Sequence, residues 1–61
     1  MTIYELWKMA DCPVYIMYTD MDGDEICEIY NGKDIRHKKI AGITAKNKKH
    51  IGVFIAVTLE D

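Results

Sequence analysis

The C-terminal run 51–59, with the sequence IGVFIAVTL, constrains the fold of this 61-residue chain more than any other stretch. Aliphatic residues occupy every odd position, and glycine, phenylalanine, alanine and threonine stand between them. This alternation, rich in β-branched residues, is typical of a β-strand. Because neither face carries a charge, we expect the strand to be covered on both sides. A chain this short can lay one helix over one face and needs another surface, such as a second copy of itself, for the other.

The N-terminal residues predict one short helix. Thr2 and Glu5 have the spacing of a capping box, in which each residue bonds the backbone N–H of the other. An apolar stripe follows at helical spacing, made of Ile3, Leu6, Trp7 and Ala10. Pro13 ends the helix, because the residue before a proline avoids the α-helical region.

The remaining sequence predicts a small sheet. Alternating or β-branched stretches indicate strands at 14–19, 25–30, 40–45 and 51–59. Turn signals separate them at 20–24, 31–39 and 46–50. The chain is therefore predicted to be a single domain, residues 1–61, of the α+β class: an N-terminal helix packed on a four-stranded antiparallel β-meander.

The same patterns predict the core and the last hairpin. If that hairpin centres near residue 48, Phe54 lies opposite Gly42 and Ile43 lies beside Val53. An aromatic ring over a cross-strand glycine is a stabilising pair in a sheet. The predicted core comprises Ile3, Leu6, Trp7, Ala10, Val14, Ile16, Ile29, Ile43, Val53, Ile55 and Val57.

The two cysteines, Cys12 and Cys27, indicate the compartment. They do not form a Cys-x-x-Cys motif, and the predicted hairpin places them far apart, so we expect two unpaired thiols and a reducing cytoplasm. The N-terminus lacks the pattern of a signal peptide, and the longest apolar run is too short to cross a bilayer. The sequence therefore predicts a cytoplasmic protein with no membrane partner.

Charge is divided sharply along the chain. Residues 1–32 hold seven acidic residues against Lys8 alone, whereas residues 33–50 hold seven lysines and arginines against Asp34 alone. Such asymmetry concerns partners rather than fold. Clustered cations bind phosphate backbones with little geometric demand, although a solvated loop surface is the alternative. The candidate nucleic-acid-binding residues are Lys33, Arg36, Lys38, Lys39, Lys46, Lys48 and Lys49.

The acidic turn 20–24 is a second candidate site. Asp20, Asp22 and Asp24 are the ligand type that Mg²⁺ or Ca²⁺ prefers, but aspartate and glycine are also ordinary turn residues. No metal site is assigned, and Mg²⁺ is left open as a cofactor. Because the chain contains no serine, and neither His37 nor His50 has a catalytic partner at a recognisable spacing, catalytic residues stay unassigned and the question of enzyme activity stays open.

Several short motifs resemble those of a known group of proteins. The motifs are TIYEL at 2–6, D-x-D-G at 20–23, YNGKDI at 30–35 and VFIAV at 53–57. The chain resembles very short proteins encoded by prophages and mobile elements of Firmicutes, which include small anti-CRISPR proteins acting on type II-A systems. The resemblance implies a small sheet-plus-helix fold similar to that of single-strand-binding transcriptional coactivators, oligomerisation and action on DNA. It transfers no catalytic residue.

Two functions follow as expectations. The first is a phage or mobile-element accessory protein that counters host CRISPR defence by acting on nucleic acid, with divalent-metal-dependent nicking of supercoiled DNA left open. The second is a non-catalytic inhibitor whose acidic half mimics DNA and occupies a basic groove on a host CRISPR nuclease. We also expect a homo-oligomer, because one helix leaves the second sheet face bare. The predicted interface is Tyr15, Met17, Phe54 and Ala56, with Thr58 at its edge.

Overall fold

The computed structural model describes residues 1–60 and contains one helix and four strands. Helix α1 spans Ile3–Met9, and the strands are β1 (Val14–Thr19), β2 (Glu25–Ile29), β3 (Ile40–Lys48) and β4 (Gly52–Leu59). Cys12 and Cys27 are unpaired thiols. Within the described residues, no helix has the length and apolar character needed to cross a bilayer.

Helix α1 begins at the predicted capping box. The Glu5 N–H donates to Thr2 Oγ1 at 3.2 Å, and the Thr2 N–H donates to Glu5 Oε1 at 3.0 Å. Two of the backbone donors that a helix start leaves unpaired are therefore satisfied. The bonds from Thr2 hold the pKa of Glu5 below its ordinary value. After Met9 the chain turns extended at Ala10 and reaches β1 through Pro13.

The sheet is mixed, so the predicted antiparallel meander is wrong. Its strand order is β2-β1-β4-β3, with β1 and β4 parallel and the other two pairs antiparallel. The connecting segment 30–39 leads from one edge strand to the other, and it contacts α1 on the way. The two strands that are apolar on both faces, β1 and β4, occupy the centre, where both faces are covered.

The predicted register of the last hairpin is also wrong. Phe54 lies opposite Lys46 rather than Gly42, and Ile43 lies opposite Val57 rather than Val53. The turn is closed by a bond from the Ile51 N–H to the Lys48 carbonyl at 3.1 Å, and Gly52 follows at a φ of 83°. A turn ending in a left-handed glycine places the hairpin centre near residue 50, so β3 runs on to Lys48.

The main core lies between α1 and the sheet. Ile3, Val14, Tyr30 and Val57 form its buried cluster, with Tyr30 absent from the prediction. Leu6, Ala10, Ile16 and Ile55 are partly buried against it. Four predicted core residues are instead 38–62% exposed, namely Trp7, Ile29, Ile43 and Val53. Ile29 pairs with Tyr15 and so lies on the face opposite α1. Ile43 and Val53 lie on the α1 face, beyond the reach of a helix of seven residues, about 10 Å long.

The centre of the second face of the sheet is buried by the chain itself. Phe54 and Ala56 on this face are 0% exposed, and the Tyr15 and Phe54 ring centroids lie 4.7 Å apart. Lys46 Nζ lies 3.7 Å from Glu25 Oε1, which joins the two edge strands β3 and β2. Side chains of the two edge strands therefore approach each other on the Phe54 face. The premise that a monomer leaves Phe54 and Ala56 bare is wrong, while self-association itself stays a prediction.

Candidate nucleic-acid interface

Four of the predicted phosphate-binding residues lie on the segment 30–39, which we call the crossover segment. Its cations, the crossover cluster, are Lys33, Arg36, Lys38 and Lys39. The segment is held at both ends by backbone bonds. At its start the Tyr30 N–H donates to the Val14 carbonyl of β1 at 2.8 Å. At its end the carbonyls of Lys38 and Lys39 accept from Ile3 and Glu60, each at 2.9 Å. The cluster therefore stands on a backbone tied to both α1 and the sheet.

Arg36, a member of the crossover cluster, makes two side-chain contacts within the chain. Its guanidinium carbon lies 4.4 Å from the centroid of the Tyr4 ring, and its Nε–H donates to the Gly32 carbonyl at 3.0 Å. A cation over an aromatic face is attracted to it, so this contact links the crossover segment to α1. The two contacts orient the guanidinium.

Trp7 and Gly32 complete the contact between α1 and the crossover segment. Gly32 has a φ of 77°, and a Cβ built there would lie 2.7 Å from Trp7 Cζ2, so only glycine lets the indole lie this close. Trp7 also meets Tyr30 edge-on, with ring centroids 6.0 Å apart. Tyr30 is 5% exposed, and burial raises the pKa of its hydroxyl. This aromatic packing holds the start of the crossover segment against α1.

The other three candidates, Lys46, Lys48 and Lys49, form a separate group that we call the hairpin cluster. It lies at the far end of β3 from the crossover cluster, and a strand of nine residues spans about 25–30 Å. The register places Lys46 and Lys48 on the Phe54 face, whereas the crossover segment lies on the α1 face. Lys46 also pairs with Glu25. The structure therefore splits the seven predicted residues into two groups.

The acidic turn is organised by Asp20. Its Oδ1 accepts from the N–H groups of Asp22 and Asp24, both at 2.9 Å, and Gly23 supplies the left-handed conformation at a φ of 86°. These bonds match the ordinary role of aspartate in a turn. Across residues 1–60, no three histidine, cysteine, aspartate or glutamate side chains come close enough together to hold a metal ion.

A cleft that was not predicted lies beside the crossover segment. It has a volume of about 510 Å³ and is lined by residues that include Ile16, Tyr18, Glu28 and Lys38. The Tyr18 hydroxyl donates to Glu28 Oε1 at 2.7 Å, and this bond raises the pKa of Tyr18. Strand alternation in the hairpin 14–29 could have found the pair, since Tyr18 and Glu28 fall on one face in neighbouring strands.

The four residues of the predicted oligomer interface differ in how deeply they are buried. Phe54 and Ala56 are fully buried within one chain, whereas Tyr15 and Met17 are half-buried. Only the latter two therefore present side-chain surface to a partner in this conformation.

Comparisons with protein-family models, with curated proteins and with solved structures gave no significant match to this chain. Function is therefore inferred from the charges and geometry of the described residues, together with the short motifs.

Proposed function

We propose that this protein binds nucleic acid through the crossover cluster. The observation that carries the proposal is the placement of four cations within seven residues, on a segment that α1 and the sheet hold in place. Lys33, Arg36 and Lys39 are exposed, and Lys38 is half-buried. Cations on a held backbone lose less freedom on binding than cations on a loose loop. The resemblance supports the setting: an accessory protein of a phage or mobile element that counters host CRISPR defence in the cytoplasm.

Salt dependence measures how many cations meet phosphates. If the four residues of the crossover cluster are the contacts, log K on duplex DNA falls against log salt with a slope of about −3 to −4. If the hairpin cluster contributes as well, the slope steepens to about −6. A slope near zero, or no gel shift at low salt, would refute nucleic-acid binding.

A pair of charge reversals tests which cluster binds. The double variant Lys33→Glu, Lys39→Glu should weaken DNA binding roughly tenfold or more at low salt, because each reversal replaces attraction by repulsion. The matched control is Lys48→Glu, Lys49→Glu, which makes the same charge change at exposed positions in the other cluster. The proposal predicts a much smaller loss for the control. Equal losses would show that net charge alone drives binding.

The proposal concerns binding, and strand cleavage is a separate question. Incubation with supercoiled plasmid, with and without Mg²⁺, separates the two in one gel. Nicked plasmid that appears only with Mg²⁺ would add an enzymatic activity to the proposal. Unchanged plasmid together with a gel shift is the result expected from binding alone.

The DNA-mimic inhibitor is the second candidate, and one observation favours it. Asp22, Asp24 and Glu25 are all exposed on the β1–β2 hairpin, a different part of the chain from the crossover cluster. The variant Asp22→Asn, Asp24→Asn tests this candidate and leaves Asp20, which closes the turn, in place. If the protein acts by mimicry, this variant should no longer compete with DNA for a type II-A nuclease, while the lysine reversals should have no effect.

A further inference from the structure

The cleft beside the crossover segment combines an apolar floor with polar groups at its rim. Ile16 of β1 and Leu59 of β4, both half-buried, contribute to the floor, and Ile35 of the crossover segment contributes a wall. A volume of about 510 Å³ lies within the range of small-molecule sites in proteins, roughly 300–1,000 Å³. Such sites pair an apolar interior with a few placed polar groups.

The hydrogen-bond acceptor of the cleft is held in place. Glu28 receives the Tyr18 hydroxyl on Oε1, which fixes the carboxylate and leaves its remaining lone pairs for a ligand. The ring of Tyr18 is 43% exposed and also lines the cleft. A carboxylate accepts from N–H groups, so the cleft favours a flat apolar ligand that carries an amino group.

Cations adjoin the same cleft. Lys38 and the carboxylate of Glu60 line it, and both also line a neighbouring cleft of about 300 Å³ together with His37 and Lys39. The Lys38 N–H donates to the Ile35 carbonyl at 3.0 Å. This bond closes a turn over residues 35–38, so Ile35 and Lys38 lie at the two ends of one turn. A phosphate held by these cations would therefore lie next to a ligand that occupies the cleft.

Ile35 has an unusual backbone. Its φ of 50° is in the left-handed region, where a β-branched residue is strained. Strain of this kind persists where surrounding structure imposes it. Here the backbone bonds on both sides of the crossover segment impose it, and they leave the Ile35 side chain lining the cleft.

We propose that this cleft is a nucleotide subsite: a base with an exocyclic amino group, cytosine or adenine, lies against Ile16 and Leu59 and donates to Glu28, while its phosphate meets Lys38 and Lys39. The inference rests on the proposed nucleic-acid binding and deepens it. Charge supports it, because Glu28 can accept from the amino group at one end of such a nucleotide. At the neighbouring cleft, two lysines against one carboxylate, Glu60, leave net positive charge for the phosphate at the other end. The nucleotide is either free or an unpaired unit of a strand.

Binding of single strands of about ten nucleotides, a length within the usual site size, tests the subsite. At low salt, fluorescence anisotropy should show oligo(dC) bound roughly tenfold or more tightly than oligo(dT), because thymine has no amino group. Glu28→Gln should abolish this preference. The glutamine amide both donates and accepts hydrogen bonds, so it can bond the amino group of cytosine and the carbonyl group of thymine equally well. The matched control is Glu25→Gln, which removes the same charge from the same strand on its other face. It should keep the preference.

A further measurement identifies the ligand and separates this inference from the proposed function. Cytidine monophosphate should shift the methyl NMR signals of Ile16 and Leu59 by the ring current of the bound base, and this shift should vanish in Glu28→Gln. Binding of the mononucleotide but of no strand would support a free nucleotide and overturn the proposed function. Equal binding of oligo(dC) and oligo(dT), with unmoved methyl signals, would overturn the subsite and leave the proposed function standing. No binding of any nucleotide or strand would overturn both.

Discussion

Gly32 illustrates how a single residue sets the packing of α1 against the crossover segment. An alanine there would occupy a left-handed conformation, at about 1–2 kcal/mol, and would place its Cβ 2.7 Å from two indole carbons of Trp7. Overpacking adds about 1–3 kcal/mol. We expect Gly32→Ala to lower the free energy of unfolding by about 2–5 kcal/mol in urea titrations. Gly23→Ala is the control, because it has the same strain with no atom within 4 Å, and it should cost only about 1–2 kcal/mol. Equal losses would show that the Trp7 contact is unimportant.

Tyr30 carries a buried hydroxyl that has no hydrogen-bond partner among the described residues. Burying an unpaired hydroxyl costs about 1–3 kcal/mol. Tyr30→Phe keeps the ring against Trp7 and removes that cost, so it should raise the urea midpoint. Tyr15→Phe, at a half-buried tyrosine outside this cluster, should change the midpoint little. A lower midpoint for Tyr30→Phe would show that the hydroxyl makes a stabilising bond.

At the scale of the element, helix α1 depends on its capping box and should weaken in acid. The pKa of Glu5 is lowered in the folded protein, chiefly by the bond from the Thr2 N–H. Its stabilisation is therefore present above the ordinary glutamate pKa of about 4.3 and is lost as the pH falls through the lower folded value. Below pH 5 the urea midpoint should fall less steeply for Glu5→Gln than for the natural protein. Parallel curves would contradict this role for Glu5.

The sequence predicts individual elements better than their arrangement. Local signals were sufficient for α1 and the existence of four strands, because caps, prolines and alternation act over a few residues. Strand order was missed because it is set by burial rather than by chain order. The two strands that are apolar on both faces, β1 and β4, lie side by side in the centre of the sheet. The hairpin register was missed because Gly52 was assigned to the strand interior rather than to a left-handed turn position. The seven cations fall into two groups because β3, nine residues long, separates the crossover segment from the last hairpin.

At the scale of the whole molecule, the question is whether one chain or two bury the Phe54 face. The structure buries Phe54 inside a single chain, so Phe54→Leu should lower the free energy of unfolding by about 1–2 kcal/mol at every protein concentration. An interface residue behaves differently, because mass action makes the stability of a dimer depend on concentration. Urea titrations of both proteins at low and high micromolar concentration, with sedimentation velocity at the same concentrations, distinguish the cases. Val53→Ala, at a residue 59% exposed on the opposite face, is the control and should cost little. If the Phe54→Leu deficit grows with concentration, and the natural protein sediments as a species near twice 7.1 kDa, the predicted interface at Tyr15, Met17, Phe54 and Ala56 is restored and the single-chain burial is refuted.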